Sequence, residues 1–185
     1  LLTMARRNTK KTEVIDMNNM LEDFFNSSLV KDPVRSKPRV SLEKDINQEL
    51  PLVNIAPSNL QQIVMNFTKN AFEAMDEKGT ICIKTYSTRR RSDPEDPNSP
   101  EITFAALAVE DTGSGIKKKD LDKIFEPFFS TKKMGSSGTG LGLAIVFGLI
   151  EDAGGTVEVT SKAGEGTTFT ALFPGTADEL EVKEE

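Results

Sequence analysis

An apolar stripe between residues 57 and 75 constrains the fold more than any other feature of the sequence. The segment opens with Pro57, and proline is favoured in the first turn of a helix. Apolar side chains then recur at intervals of three and four residues, which places them on one helical face. They are Leu60, Ile63, Val64, Phe67, Ala71 and Ala74. We therefore predict a long helix that buries this face against a second layer of structure.

The rest of the chain supplies that second layer as a series of strands. Apolar or alternating segments bounded by turn residues predict strands at 39–46, 80–88, 101–110, 156–160 and 167–173. Two further helices are predicted at 16–29 and 141–152. A charged, proline-rich segment at 89–100 is interpreted as a solvated surface loop, with a phosphate or partner contact as the alternative. This order predicts an α+β fold, a two-layer sandwich in which helices cover one face of a mixed, mostly antiparallel sheet.

The composition excludes several kinds of chemistry. The 185 residues contain no histidine and one cysteine, Cys82, so zinc sites, histidine-based catalytic pairs and an internal disulfide are excluded. The formal net charge is −6 and no basic stripe exists, so we expect no contact with nucleic acid. Because no run of 18 apolar residues and no apolar leader is present, we expect a cytoplasmic chain without membrane contact. Cys82 lies between two isoleucines and is expected to be a small buried residue.

Polar side chains occupy the opposite face of the long helix. Gln62, Asn66, Asn70 and Glu73 follow one another at intervals of three or four residues and share one face. Amide oxygens are hard, neutral ligands, and Mg²⁺ commonly takes one or two protein oxygens together with phosphates and water. Asn70 therefore suits a Mg²⁺ ligand, with Asn66 beside it. A solvated polar face is the alternative interpretation.

A carboxylate followed by glycines ends the strand predicted at 101–110. Asp111 comes directly after this apolar strand, and Gly113 and Gly115 follow it. A carboxylate in this place can accept a hydrogen bond from an exocyclic amine, and glycines let a flat ring approach the backbone. Adenine carries such an amine. The alternative is a turn that merely ends the strand, in which Asp and Gly are favoured for local reasons.

A glycine-rich segment leads into the last helix. Gly138, Gly140 and Gly142 alternate up to the predicted helix start, where backbone N–H groups and the helix dipole form a phosphate site. Lys132 lies six residues before Gly138 and would reach a terminal phosphate as a point charge. The sequence contains no Gly-Lys dipeptide, which excludes the usual phosphate-binding loop. Without histidine it also lacks the catalytic loop of ordinary protein kinases.

Five short motifs follow one another along the chain. They are Asn66-x₃-Asn70-Ala71-x₂-Ala74, Asp111-x-Gly113-x-Gly115, Phe125-Glu126-Pro127-Phe128-Phe129, Gly138-x-Gly140-x-Gly142 and Gly164-x-Gly166-Thr167. In this order they closely resemble the N box, the first glycine box, the F box, the second glycine box and the third glycine box of the catalytic, ATP-binding domain of bacterial sensor histidine kinases. That family belongs to a superfamily with gyrase, Hsp90 and MutL-type ATPases. The resemblance covers about residues 35–175 and implies the Bergerat-type ATP-binding fold. The run Phe-Phe-Ser-Thr-Lys is similar to that of the nitrogen-regulator branch of these kinases.

The resemblance also implies a role for each motif. Asn70 would coordinate Mg²⁺ with support from Asn66, while Asp111 would receive the adenine amine beside Thr167. Residues 117–138 would form a mobile lid. The implied catalytic residues are Asn66, Asn70 and Lys132, and the implied metal ligand is Asn70. The implied residues that bind ATP or ADP are Asn66, Asn70, Glu73, Asp111, Gly113, Gly115, Ile116, Ser130, Thr131, Lys132, Gly138, Thr139, Gly140, Leu141, Gly142, Leu143 and Thr167.

The same resemblance divides the chain and implies its partners. Residues 1–15 resemble a remnant of the dimerisation and phosphoacceptor helical domain, residues 16–176 the catalytic domain, and the acidic residues 177–185 are expected to be disordered. In such kinases the phosphoacceptor histidine lies on the preceding helix, and this sequence contains no histidine. The expected partners are ATP, the kinase's own dimerisation domain and the receiver domain of a response regulator. We expect a homodimer for the full-length protein and a monomer for this part of it.

Three classes of function remain open. ATPases of the superfamily resemble one another in a glutamate four positions before the Mg²⁺-binding asparagine, where it serves as general base. This sequence has Asn66 there, and an amide cannot take up a proton at neutral pH. A kinase with slow hydrolysis is therefore favoured over an ATPase. A serine kinase of the anti-sigma type shares the fold and also lacks that glutamate, and a nucleotide-binding module without turnover is the third class.

Overall fold

The computed structural model describes residues 11–28, 36–92, 95–130 and 139–176. The strands in these ranges are β1 (Glu13–Ile15), β2 (Arg39–Ile46), β3 (Val53–Ile55), β4 (Lys78–Arg91), β5 (Glu101–Asp111), β6 (Thr156–Lys162) and β7 (Gly166–Pro174). The α-helices are α1 (Met17–Asn26), α2 (Pro57–Ala74) and α3 (Gly142–Asp152), and a 3₁₀ helix spans Lys118–Lys123. None of the helices in the described ranges combines the length and the hydropathy needed to cross a bilayer.

The main sheet has five strands in the order β2-β4-β5-β7-β6. Strand β2 runs parallel to β4, and the other three pairs are antiparallel. The register aligns Ile81, Asp111, Thr167 and Ser161 in one row across four strands. Directly opposite residues share a face of the sheet, and Ile81 belongs to the buried core. The row therefore lies on the face that the helices cover.

Helices α1, α2 and α3 pack on that one face and contribute to the core. The side chains that these helices bury include Met17, Leu21, Phe24, Leu60, Ile63, Val64, Phe67, Val146 and Ile150. Phe67 of α2 stacks on Phe169 of β7 with 5.1 Å between ring centroids, which joins the two layers at the centre. The predicted two-layer α+β sandwich, with a mostly antiparallel sheet and helices on one face, is confirmed.

Cys82 and Arg89–Arg91 differ from what their sequence predicts. Cys82 is half-buried on the sheet face opposite the helices, because its position in β4 alternates with the core residues Ile81 and Ile83. Its partial burial raises the pKa of the thiol. Arg89–Arg91, assigned to a loop, continue β4 and pair with Glu101–Thr103.

A short strand lies in the segment that the sequence analysis assigned to a helical remnant. Glu13–Ile15 pair antiparallel with Val53–Ile55 and form a separate two-stranded sheet. The predicted helix at 16–29 ends at Asn26, and its amino-terminal cap is Asp16, whose side chain accepts from the N–H of Asn18 at 2.8 Å. Residues 1–10 and the acidic residues 177–185 lie outside the described residues.

Candidate functional site

Asp111 and Thr167 form a buried polar pair at the end of the sheet. Asp111 ends β5, is directly opposite Thr167 of β7, and the two residues are 4% and 5% exposed. The Asp111 carboxylate accepts a hydrogen bond from the N–H of Gly113 at 2.8 Å and another from the N–H of Thr167. Burial nevertheless raises the pKa of Asp111 above the ordinary aspartate value, since it outweighs these two bonds. A desolvated carboxylate of this kind favours a ligand that supplies a further hydrogen-bond donor.

The first glycine box is held between the end of α2 and the β6–β7 turn. The N–H of Ser114 donates to the carbonyl of Ala74 at 2.9 Å, and the N–H of Gly164 donates to the carbonyl of Ser114 at 2.7 Å. Gly115 has φ +64°, and a Cβ there would lie 2.1 Å from the carbonyl oxygen of Lys162. Only glycine fits this conformation and this approach. The first and third glycine boxes, distant in sequence, therefore form one backbone unit around Asp111.

Asn66 joins the amide face of α2 to the start of α3. Its Nδ2 donates to the carbonyl of Gln62 at 2.8 Å, which fixes the orientation of the side chain. Its Oδ1 lies against Gly142, where a Cβ would be only 2.7 Å away. Glycine at the first position of α3 thus permits a close contact between the two helices that any larger residue would prevent.

Asn70 and Glu73 extend the same face toward the first glycine box. The Nδ2 of Asn70 is buried, and no group in the described part of the chain accepts its hydrogens. A buried donor without a partner is costly, so a ligand oxygen at this position would stabilise the site. Glu73 is half-buried and lies 3.8 Å from the Nζ of Lys69, one helical turn earlier.

The start of α3 brings the amino terminus of a helix to the site, next to Asn66. Leu141 is its N-cap residue, and no side chain of the described residues caps the first turn. The first N–H groups of a helix have no partners within the helix, which leaves them available to an anion. The carbonyl of Gly140 accepts from the N–H of Phe128 at 3.0 Å. Phe128 has φ +68°, so the backbone on this side of the site is strained. Its side chain is 76% exposed.

The structure brings most of the predicted site residues together in two places. Asp111, Gly113, Gly115, Ile116 and Thr167 lie at the end of the sheet, and Asn66, Thr139, Gly140, Leu141, Gly142 and Leu143 lie at or next to the start of α3. Asn70 lies on α2 one turn after Asn66. Glu73 lies on the amide face, and Ser130 is exposed beyond the F box. Thr131, Lys132 and Gly138 lie outside the described residues. Their predicted roles stay predictions.

One polar residue next to Thr167 was not predicted from the sequence. Ser161 of β6 receives a hydrogen bond from the N–H of Ile116 at 2.8 Å, and its Oγ lies 2.9 Å from Thr167 Oγ1. A signal for it exists in the sequence, because Val157, Val159 and Ser161 alternate along β6 toward the core. A serine at such an inward position calls for a hydrogen-bond partner.

Because the pKa of Asp111 is raised, we expect the affinity for an amine-bearing ligand to depend on pH. The carboxylate accepts a charge-assisted hydrogen bond only when it is ionised. Affinity should therefore be complete above the pKa of the free site and fall as the pH is lowered through it, at a pH above about 3.9, the ordinary aspartate value. Calorimetric titration with ADP between pH 8 and pH 4.5 measures this.

Asp111→Asn is the control for that experiment. Its amide does not titrate, whereas protonation of the nucleotide phosphates affects both proteins equally. Parallel pH curves for the two proteins would contradict the assigned role of the Asp111 carboxylate.

Comparisons with known proteins show the family to which the chain is similar. The family model described as histidine kinase-, DNA gyrase B- and HSP90-like ATPase matches residues 55–177. The sensor kinase CckA of Brucella abortus is 36% identical over 184 residues, which cover 97% of this chain and 19% of CckA. The sensor histidine kinase ZraS of Escherichia coli K12 is 31% identical over 174 residues, 94% of this chain and 33% of ZraS. The chain thus spans a fifth to a third of these relatives.

Solved structures show the same fold. The catalytic domain of histidine kinase ThkA matches with a TM-score of 0.69 and 26% identity over 89% of this chain and 96% of that domain. Full-length ShkA in complex with AMPPNP matches with a TM-score of 0.70 and 26% identity over 90% of this chain and 32% of ShkA. The fold is that of histidine kinase catalytic domains. The chain belongs to the family of histidine kinase-, DNA gyrase B- and HSP90-like ATPases.

Proposed function

We propose that this chain is the ATP-binding catalytic domain of a two-component sensor histidine kinase, which transfers the γ-phosphate of ATP to a histidine on a dimerisation helix. The observation that carries the proposal is the layout of α2. Its end contacts the Asp111 loop through Ala74, and Asn66, eight residues earlier, contacts the start of α3. Along the helix axis, which rises 1.5 Å per residue, the two contacts are about 12 Å apart. A ligand with a base at one end and phosphates at the other fits this span.

The residues present fit a bound Mg²⁺ ion. Within the described residues no group of three or more Asp, Glu and Cys side chains is placed to hold a metal. By the resemblance of the N box, an amide oxygen of Asn70 would hold the ion together with nucleotide oxygens, which are hard ligands of the kind that Mg²⁺ takes. The unpartnered Nδ2 of Asn70 supports an oxygen-rich ligand there. When bound, the ion neutralises the charge that develops on the transferred phosphoryl group.

The chain's own residues position the substrate. The Asp111 carboxylate accepts a hydrogen bond from the exocyclic amine of adenine, and the N–H groups at the start of α3 bind phosphate oxygens. Lys132 would add a positive charge near the terminal phosphate. Phosphoryl transfer needs little more than such positioning and charge neutralisation from this domain. The nucleophile has to come from elsewhere, because the sequence contains no histidine.

The proposed partners follow from this reaction. They are ATP, the dimerisation domain with its phosphoacceptor histidine, and the receiver domain of a response regulator in a cytoplasmic signalling protein. ShkA was solved in complex with AMPPNP, a triphosphate analogue, which supports ATP as the nucleotide.

An ATPase of the same family is the second candidate. By the resemblance of the N box, Asn66 stands at the position where those enzymes carry a catalytic glutamate, and its Nδ2 donates to the carbonyl of Gln62. An amide cannot accept a proton from water at neutral pH, so this arrangement favours a kinase. Rapid release of inorganic phosphate by the chain alone would favour the ATPase instead.

Replacing Asn70 by alanine tests the proposed function. We expect the Mg²⁺ dependence of ATP affinity to disappear and the rate of phosphate transfer to a separately supplied histidine-bearing dimerisation domain to fall by about 100-fold or more. Calorimetry with and without Mg²⁺ and radiolabelled γ-phosphate transfer measure the two effects.

Asn54→Ala is the matched control, because Asn54 is exposed on β3 and away from the site. It should leave both quantities unchanged. If the wild-type chain binds no nucleotide, or if Asn70→Ala transfers phosphate at the wild-type rate, the proposed function is wrong.

A further inference from the structure

Ser161 of β6 contacts two other segments around the proposed base subsite. The N–H of Ile116, at the end of the first glycine box, donates to Ser161 Oγ at 2.8 Å. Ser161 Oγ lies 2.9 Å from the carbonyl oxygen of Gly166 and 2.9 Å from Thr167 Oγ1, both in the third glycine box. Ser161 is half-buried and stands in the same row of the sheet as Thr167 and Asp111.

The number of protons available determines the direction of each of these hydrogen bonds. A serine hydroxyl has one proton and two lone pairs. The carbonyl of Gly166 has no proton to give, so Ser161 donates to it. The N–H of Ile116 takes one lone pair of Ser161. The remaining lone pair can serve the third contact only if Thr167 is the donor. All three contacts are satisfied together by this one assignment.

That assignment decides what Thr167 can offer to a ligand. Its proton is directed to Ser161, so its oxygen has only lone pairs for other partners. Its neighbour in the row is the Asp111 carboxylate, which also accepts. Opposite side chains on antiparallel strands have Cβ atoms roughly 5 Å apart. Two hydrogen-bond acceptors at that spacing match an amino group, which carries two hydrogens, and disfavour a carbonyl, which carries none.

We propose that Ser161 is a positioning residue that holds Thr167 as a hydrogen-bond acceptor and so makes the base subsite select a 6-aminopurine over a 6-oxopurine. The inference rests on the proposed function, since it takes the Asp111–Thr167 pair as the subsite for the base. Ser161 acts through Thr167 and has no contact with the nucleotide itself. Without the Ser161 hydroxyl, Thr167 is free to turn its proton toward the ligand, where it can serve a carbonyl.

The test compares ATP with inosine triphosphate, which differs from ATP by a carbonyl and a ring N–H in place of the amine and the ring nitrogen. In Ser161→Ala we expect the preference for ATP, measured as the ratio of the two dissociation constants in calorimetry, to fall about three- to tenfold. Ser161→Thr keeps a hydroxyl and should retain the wild-type ratio. Thr167→Val should lower the ratio as well, and adding Ser161→Ala to it should change the ratio no further.

Thr160→Ala is the matched control, since it removes a hydroxyl from the same strand on the exposed side. It should leave the ratio unchanged. If Ser161→Ala lacks a cooperative melting transition, Ser161→Cys replaces it, because a thiol keeps the shape and is a weak donor and acceptor.

An unchanged ratio in Ser161→Ala would overturn the inference. If both nucleotides are weakened by the same factor, Ser161 is only structural. If the wild-type chain binds ATP and the ratio does not move, this inference alone fails. If the wild-type chain binds neither nucleotide, the proposed function fails.

Discussion

Replacing Asp111 by alanine is expected to weaken ATP binding by about 100-fold or more. The substitution removes the charge-assisted hydrogen bond to the adenine amine, in a place where the carboxylate is 4% exposed and no water can substitute for it easily. It also leaves the N–H groups of Gly113 and Thr167 without their shared acceptor. Isothermal titration with ATP in the presence of Mg²⁺ measures the change.

The neighbouring residue supplies the control for this substitution. Glu110 is adjacent in β5 but pairs with Lys84 on the opposite, solvated face of the sheet. Glu110→Ala should bind ATP with wild-type affinity. Cooperative thermal unfolding of Asp111→Ala would show that lost binding is not lost folding. A dissociation constant within threefold of wild type for Asp111→Ala would remove Asp111 from the base subsite.

Replacing Phe67 by alanine is expected to lower the free energy of unfolding by about 3–5 kcal/mol. Phe67 is 0% exposed and stacks on Phe169, with 5.1 Å between the ring centroids and 15° between the ring planes. Its removal leaves a cavity between α2 and the sheet, and neither layer can close it without moving. Because the same helix carries Asn66 and Asn70 on its other face, ATP affinity should also fall. Urea unfolding followed by circular dichroism measures the stability.

Phe128→Ala is the matched control for the core substitution. It deletes the same ring at a side chain that is 76% exposed, and it leaves the positive φ of that residue in place. We expect its free energy of unfolding to lie within about 0.5 kcal/mol of wild type. If Phe67→Ala and wild type unfold at the same urea concentration, and their free energies of unfolding depend equally on urea, Phe67 is not a central core residue.

Much of the fold could be predicted because the responsible signals are local. The apolar stripe of α2, from Leu60 to Ala74, follows from the helical period alone, and the structure has the helix at Pro57–Ala74. The strand predicted at 39–46 has the same bounds in the structure, because its ends coincide with changes in composition. The β6–β7 hairpin formed across Gly164 and Gly166 as predicted, since glycine is favoured in such turns.

Other features depend on contacts between segments that are distant in the sequence. The strand Glu13–Ile15 has too few residues for a pattern of its own and exists through its pairing with Val53–Ile55. The half-buried position of Cys82 depends on which face of β4 the helices cover, and its apolar neighbours do not reveal that. Two of the unexpected features are therefore consequences of strand pairing and of sheet orientation.

The sequence by itself determined which residue types are available for the chemistry and in what order the motifs occur. It placed amides on one helical face, a carboxylate at the end of a buried strand, and glycines where backbones meet, because each of these is a matter of local period or local conformation. Only the tertiary structure decided that Asn66 contacts Gly142 and that Ser161 links Ile116 to Thr167. These contacts join segments between 6 and 76 residues apart, and the direction of a hydroxyl proton depends on all of its partners at once.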